Sequence, residues 1–150
     1  MRDATARAGG GPSHEEIVDR LAGFAVFADL STPQLQAVAH QFEEAWFAAG
    51  DVVLRQGLTG SAFFVILEGK AAVRVDGAER GTLVPGDFFG EISVLLEEPP
   101  TADVIASTPL RCLVLPGAQI AEFLRSRPSV MYRMLQAEAR KLRNTTRWRS

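Results

Sequence analysis

The 150-residue chain contains a single cysteine, and this scarcity limits its chemistry. Cys112 has no second cysteine with which to form an intramolecular disulfide, so we expect a chain that folds in a reducing, cytoplasmic compartment. Because Cys112 lies within the apolar segment 110–115, we expect it to be buried as a small apolar residue and not to act as a reactive thiol. The two histidines, His14 and His40, stand apart in the sequence without a cysteine at ligand spacing, so no metal site is expected.

Long apolar runs and an excess of one charge are also missing. No stretch approaches the roughly 20 apolar residues of a membrane-spanning helix. Sixteen Lys and Arg against 18 Asp and Glu leave a net charge of −2, which gives no reason to expect direct nucleic-acid binding. The Ser/His/Asp, Cys/His and Gly-Lys-Ser patterns of common enzymes are absent, so we predict that the chain is not an enzyme and needs no cofactor.

What the chain does have is a regular succession of short apolar segments. Apolar residues make up 47% of the chain, enough for the core of one domain of ordinary size. Turn residues separate the segments, which cover 42–47, 52–54, 62–67, 71–75, 82–84, 102–106 and 110–115. Many short strands at this spacing, without a repeat of fixed period, predict an antiparallel β-roll of the jelly-roll type.

Helical patterns flank the predicted strands on both sides. Ser13 with Glu16 three residues later has the pattern of a capping box, and the segment 31–33, Ser-Thr-Pro, predicts the start of a second helix. After the strands, residues 119–125 predict a short helix, and Pro128 predicts the start of a longer one. The fold class is therefore mainly β with flanking helices: N-terminal helices, an antiparallel β-roll and two C-terminal helices.

The chain divides into three parts on this interpretation. Residues 1–13, which include three consecutive glycines and a proline, are predicted to be a flexible leader. Residues 14–127 are predicted to form the roll with its N-terminal helices. Residues 128–150 are predicted to form a C-terminal lid or dimerisation helix with an apolar stripe, made up of Val130, Met131, Met134, Leu135, Ala137, Glu138 and Leu142.

The segment 86–96 interrupts the strands with a short helical turn that begins at Glu91. Gly90 lets the backbone approach a ligand closely, and the first N–H groups of a helix have no intrahelical partner, so an anion can bind there. Ser93 adds a hydroxyl to this turn. Glu91 adds a carboxylate that can accept a hydrogen bond from a sugar hydroxyl. A carboxylate beside an anion site is repulsive unless it has a hydroxyl or a cation to bind.

These residues, Phe89-Gly90-Glu91-Ile92-Ser93 followed by Pro99-Pro100-Thr101-Ala102, resemble the phosphate-binding cassette of the cyclic nucleotide-binding domain family. This is the β-roll family of catabolite activator proteins and protein kinase A regulatory subunits, and the resemblance covers roughly residues 17–142. It implies binding of cAMP or cGMP, with a ligand site made up of Phe89, Gly90, Glu91, Ile92, Ser93, Thr101 and Ala102.

The resemblance also implies a role for each part of the site. Glu91 would accept a hydrogen bond from the ribose 2′-hydroxyl. The backbone N–H groups of residues 90–93, with Ala102, would face the cyclic phosphate, and Thr101 would lie near the phosphate and the purine. Ile92 and Leu95 would pack the short helix onto the roll and pass its movement to the last helix.

One residue departs from the family pattern. Pro100 stands where the family usually has an arginine that pairs with the phosphate, and proline offers neither charge nor a side-chain donor. Losing such a pair costs about 2–5 kcal/mol, in the range where micromolar binding becomes millimolar. Strand alternation predicts that Asp103 points away from the ligand. Three arginines are candidate substitutes for the missing cation: Arg74, Arg80 and Arg111.

Three functions remain open at this stage. The domain would bind a cyclic nucleotide weakly or with a substitute cation, and signal through its C-terminal helices. It would alternatively bind a different, less anionic ligand. Or it would be a degenerate member of the fold that acts as a protein-interaction or dimerisation module without nucleotide. The resemblance further implies a homodimer through the helix over residues 128–143.

Overall fold

The computed structural model describes residues 12–58 and 62–149, with side chains for 14–58 and 62–145. The helices are α1 Pro12–Ala22, α2 Thr32–Gln41, α3 Glu91–Leu96, α4 Ile120–Arg125 and α5 Pro128–Arg149. The strands are β1 Glu43–Phe47, β2 Val52–Leu54, β3 Ala62–Glu68, β4 Ala71–Val75, β5 Ala78–Leu83, β6 Phe88–Phe89, β7 Asp103–Ala106 and β8 Leu110–Pro116. Residues 1–11 of the predicted leader lie outside the described residues, so the leader stays a prediction.

The strands form two four-stranded antiparallel sheets, with the orders β1-β8-β3-β6 and β2-β7-β4-β5. Strand β3 is buried on both faces, which explains its uninterrupted apolar sequence. Phe63 and Val65 belong to the core shared with the helices, whereas Phe64 and Ile66 belong to the core of the roll. The domain is thus layered as helices, first sheet and second sheet, and the predicted β-roll is confirmed.

The second helix begins where the sequence predicts, and the first does not. Ser31 and Gln34 form a reciprocal capping box at the start of α2, with N···O distances of 3.3 and 2.8 Å. Helix α1, in contrast, already includes Pro12, so Ser13 lies inside its first turn and the predicted cap at Ser13 is wrong. Proline suits a first helical turn because its missing N–H would have had no partner there.

Two strands differ from the sequence prediction. Strand β5 covers Ala78–Leu83 instead of 82–84, and the two-residue strand β6 was not predicted. Asp76 and Gly77 both have positive φ, 52° and 81°, as in the two-residue hairpin turn that joins β4 directly to β5. Because five of the six residues of β5 are exposed, this strand has no apolar alternation by which a sequence could reveal it.

A buried arginine joins α1 to the roll. The Arg111 side chain is only 5% exposed and pairs with Glu44 at 2.5 Å, Glu68 at 2.6 Å and Glu16 at 3.0 Å. These carboxylates hold the pKa of Arg111 above its usual value against the effect of burial. Arg111 also lies over the ring of Trp46, 5.1 Å from its centroid. The Arg111 charge is therefore used in ion pairs that hold the scaffold together.

Candidate functional site

Gly90 fixes the geometry at the start of the cassette, the segment 89–102. It links β6 to α3 with φ +87°, a left-handed conformation that favours glycine. A Cβ atom at this position would lie 2.3 Å from the carbonyl oxygen of Ala62 on β3. The backbone of the cassette therefore touches the backbone of the sheet at a point where no side chain fits.

The two ends of the cassette are anchored in the same apolar core. Phe89 stacks on Phe64 with parallel rings whose centroids are 4.6 Å apart. Val104, just after the cassette, lies in the same cluster as Phe89. Both aromatic side chains are buried in this core. The segment between Phe89 and Val104 is thus held at both ends by the core of the roll.

Glu91 is buried beneath α5. Its residue exposure is 4%, and its Oε2 atom lies 3.7 Å from Nζ of Lys141. Glu138, one turn before Lys141 on α5, contributes a second carboxyl group against Glu91. Burial, followed by the neighbouring Glu138, raises the pKa of Glu91 to about 8, and the Lys141 charge only partly opposes this. Burial of Glu91 explains why a carboxylate here needs a specific partner.

Three other side chains of α3, those of Ser93, Ile92 and Leu95, lie in surroundings that the sequence did not foresee. The Ser93 hydroxyl donates to the Glu98 carbonyl oxygen at 2.6 Å, and the Glu98 N–H donates back to the Ser93 carbonyl at 3.2 Å. Ser93 thereby closes the cassette loop. Ile92 is 43% exposed and Leu95 51% exposed, so the prediction that they pack α3 onto the roll is wrong. The buried face of α3 consists of Glu91, Ser93 and Val94.

The second half of the cassette carries no positive charge. Pro100 is buried, and its carbonyl accepts a hydrogen bond from the Gly57 N–H at 2.9 Å. Thr101 is exposed and Ala102 half-buried, immediately before β7. Asp103 lies on the opposite face of β7 from Val104, as the alternation predicts. Its Oδ1 atom accepts from the Gln56 N–H at 2.7 Å.

The structure narrows the search for a substitute cation. Arg111 is excluded because three carboxylates already bind it. Arg74 and Arg80 are exposed on β4 and β5. Sequence reasoning missed Lys141, the cation beside Glu91, and also Glu138. A signal for both was present, because Glu138 interrupts the apolar stripe of α5, and a charge on a partly buried helix face calls for a partner.

Two clefts lie near the cassette. One of about 730 Å³ separates α3 from α4 and is lined in part by Leu95, Glu97 and Arg125. The other, of about 300 Å³, lies between α5 and the β5–β6 turn, with Phe88 and Lys141 in its wall. Glu91 does not line the larger cleft, although Ser93 and Val94 do, so cleft size does not identify the cassette site.

The remaining sequence expectations concern metals, the membrane and the cysteine. His14 and His40 are brought together, with ring centroids 5.3 Å apart, although they stand apart in the sequence. Within residues 12–58 and 62–149, no group of three or more potential ligands is placed to hold a metal. In the same part of the chain, no helix has the length and apolarity to cross a membrane. Cys112 is buried, as predicted, and burial raises the pKa of its thiol to about 12.

Comparison with known protein sequences gives a family match. The sequence model of the family described as "Cyclic nucleotide-binding domain" matches residues 44–127. The cGMP-dependent protein kinase egl-4 of Caenorhabditis briggsae is 34% identical over 102 residues, which cover 64% of this chain and 14% of the kinase. The corresponding kinase of Caenorhabditis elegans is also 34% identical over 102 residues, 13% of its length. The chain therefore spans about a seventh of these curated relatives.

Comparison with solved structures supports the same family. The Thermus thermophilus catabolite activator protein superimposes with a TM-score of 0.73 at 27% identity, covering 81% of this chain and 60% of that one. The regulatory domain of Toxoplasma gondii PKA, co-crystallised with cAMP, gives 0.72 at 26% identity, covering 85% and 50%. The N-terminal domain of a Streptomyces coelicolor A3(2) transcriptional regulator gives 0.64 at 32% identity, covering 85% and 92%. With the family match extending over more than half of the chain, and with the β-roll and its inserted cassette in place, this chain belongs to the cyclic nucleotide-binding domain family.

Proposed function

We propose that the chain is a regulatory, non-catalytic domain that binds cAMP or cGMP at its cassette and transmits occupancy through α5. The observation that carries this proposal is the buried Glu91 carboxyl group, which directly follows the left-handed Gly90 in a member of the cyclic nucleotide-binding family. Glu91 accepts a hydrogen bond from the ribose 2′-hydroxyl. The backbone N–H groups of residues 90–93, with Ala102, face the phosphate, and Thr101 lies beside it.

The expected affinity is low because Pro100 removes the guanidinium contact. Without that charge-assisted pair, binding is weaker by about 2–5 kcal/mol than in a domain that has the arginine. Lys141 supplies a cation beside Glu91 and Glu138, 3.7 Å from each, and so does not replace the guanidinium at the phosphate. The relatives include both a cGMP-dependent protein kinase and a regulatory domain co-crystallised with cAMP, so both nucleotides are candidates.

Calorimetric titration with cAMP and cGMP tests the proposal on three proteins. The unaltered domain should bind one of the nucleotides saturably, and Pro100→Arg should bind it at least tenfold more tightly. Pro99→Arg is the matched control, because it adds the same charge at the exposed neighbouring position and should leave the affinity nearly unchanged. Absence of saturable binding to both the unaltered domain and Pro100→Arg, with the fold intact by circular dichroism, would contradict the proposal.

A second candidate function is a dimerisation module that uses α5. Met131, Tyr132 and Leu135 are exposed on this helix, and Met131, Leu135 and Leu142 follow the four- and seven-residue spacing of a helix–helix seam. A two-fold interface needs one patch that faces its own copy, so we assign this face to a second copy of the chain. Sedimentation equilibrium should show a dimer that Leu135→Glu dissociates. A monomer at all concentrations would exclude this role.

A further inference from the structure

The contact between α3 and α5 contains two carboxyl groups and one cation. Nζ of Lys141 lies 3.7 Å from Oε2 of Glu91 and 3.7 Å from Oε1 of Glu138. The other oxygen of Glu138, Oε2, is buried and has no hydrogen-bond partner among the described residues. Lys141 itself is half-exposed and also lies over the Phe88 ring, 5.2 Å from its centroid. Lys141 therefore lies near both carboxyl groups, and Oε2 of Glu138 remains a buried acceptor without a donor.

A single proton added to the two carboxyl groups would remove the repulsion between them and give the buried Glu138 oxygen a donor. Two ionised carboxylates are acceptors only, so they cannot hydrogen-bond to each other and they repel. If Glu91 is protonated, its O–H donates to Glu138, which gives the buried acceptor a donor and leaves Lys141 to balance the remaining charge. The raised pKa of Glu91, caused first by burial and then by Glu138, agrees with this assignment. The two charged groups that shift the pKa of Glu91, Glu138 and Lys141, both lie on α5.

We propose that the proton shared by Glu91 and Glu138 latches α5 onto the cassette, and that a ligand hydroxyl bound at Glu91 releases this proton. Release of the proton by a ligand rests on the proposed nucleotide binding, whereas the latch itself concerns the free domain. On binding, the Glu91 acid becomes a carboxylate that accepts the ligand hydroxyl, the proton passes to solvent, and Glu138 stays paired with Lys141. Nucleotide occupancy and α5 docking thereby become linked to pH.

The raised pKa of Glu91 determines how α5 docking and ligand binding depend on pH. Docked α5 favours the protonated acid, so docking is unaffected by pH below about 4.5, the ordinary value of the carboxyl group. Docking weakens as the pH rises from there through about 8, where the docked acid ionises. Ligand binding, which uses the ionised form, strengthens over the same range and levels off above it. A device of this kind responds within the pH range found in cells.

Carboxyl ¹³C NMR titration of the free domain tests the latch without any nucleotide. We expect the pair to show a titration near pH 8 that moves together with the backbone shifts of α5. Glu138→Gln should move the titration of Glu91 clearly below pH 8, because it removes the second carboxyl group and supplies an amide donor, while burial still keeps the pKa above its usual value. Glu122→Gln, the same change at an exposed site on α4, should leave the titration unaltered. Ordinary titration of both carboxyl groups in the unaltered protein overturns the latch, even if a variant fails to fold.

Calorimetry in two buffers of different ionisation enthalpy tests the link to ligand. At pH 7, cAMP or cGMP should release up to about one proton per nucleotide bound to the unaltered domain, and Glu138→Gln should release close to none. Binding without proton release overturns the linkage while leaving the proposed function intact. If neither nucleotide binds to the unaltered domain or to Pro100→Arg, the proposed function and the ligand half of this inference are overturned, and the NMR titration still decides the latch in the free domain.

Discussion

Gly90 shows how one residue can determine the geometry of the site. It carries two separate constraints: its left-handed φ, and the close approach of its Cα to the Ala62 carbonyl. The first constraint alone costs an L-residue about 1–2 kcal/mol. The second requires a shift of the β3 backbone, which is held on both sides by neighbouring strands.

Gly90→Ala is therefore expected to lower the free energy of unfolding by more than about 2 kcal/mol and to weaken nucleotide binding. Gly50→Ala is the matched control, because Gly50 has a similar φ of +92° but nothing within 4 Å of a new Cβ. It should lose only about 1–2 kcal/mol. Urea unfolding measures both values, and equal losses would show that the contact with Ala62 does not constrain the cassette.

Arg111 illustrates the difference between a buried and an exposed ion pair. Arg111→Met leaves Glu44, whose side chain is 7% exposed, buried without its partner, so a loss of about 3–5 kcal/mol is expected. Arg133 pairs with Asp29 at 2.8 Å, but these side chains are 37% and 42% exposed and the pair is screened by solvent, so Arg133→Met should cost much less stability than Arg111→Met. Thermal unfolding compares the two variants. Similar losses would mean that the Arg111 cluster does not hold α1 to the roll.

At the level of elements, the orientation of α3 determines which of its side chains contact α5. The helix presents Glu91 and Val94 inward and Ile92 and Leu95 outward. Contact with α5 is thus made through charged groups and not through the apolar side chains that the sequence favoured. The sequence could not distinguish these faces, because a six-residue helix has fewer than two turns and both of its faces carry apolar residues.

Alanine substitutions on the two faces of α3 check this orientation. Ile92→Ala should change the free energy of unfolding by no more than about 0.5 kcal/mol, since the side chain is largely exposed. Val94→Ala removes apolar atoms from the core beneath the helices and should cost more than about 1 kcal/mol, although it deletes fewer atoms. Chemical denaturation of both variants gives the comparison, and the opposite ranking would place Ile92 against the roll.

For the whole molecule, two carboxyl groups whose pKa values are shifted in opposite directions set the pH of greatest stability. The pKa of Glu16 is lowered by hydrogen bonds from Arg111 and Arg20, so its contribution is present above its unfolded value of 4.5 and is lost as the pH falls. The pKa of Glu91 is raised, so its contribution is complete below 4.5 and is lost as the pH rises through about 8. The two effects leave a maximum on the acid side of neutrality.

Urea unfolding from pH 3 to 9 should therefore give greatest stability at weakly acidic pH. Between pH 5 and 8, Glu91 should lower the free energy of unfolding by at most about 1.4 kcal/mol per pH unit, the value for one proton. Glu138→Gln should flatten this alkaline slope, and Glu122→Gln should preserve it. A stability that rises from pH 5 to 8 in the unaltered domain would contradict the assignment of the proton to Glu91.

The fold class, the order of the elements apart from β6, and the position of the cassette could all be predicted from the sequence. These features follow from local signals: Gly-containing turns, apolar runs in strands buried on both faces, the Ser31 capping box, and the Gly90-Glu91 dipeptide. The signals were weakest where a strand is exposed, as in β5, or where a helix is very short, as in α3. Sequence also located the loss of charge at Pro100, because that depends only on the residue type.

Which groups meet at the site can be seen in the tertiary structure alone. Arg111 proved to be part of the scaffold, Ser93 closed its own loop, and α5 brought Glu138 and Lys141 over Glu91. These contacts join residues far apart in the chain, and their energies depend on burial and on the sum of neighbouring charges, neither of which a local pattern specifies. The protonation of Glu91, and with it the latch between α3 and α5, is for this reason a property of the fold and not of the cassette motif.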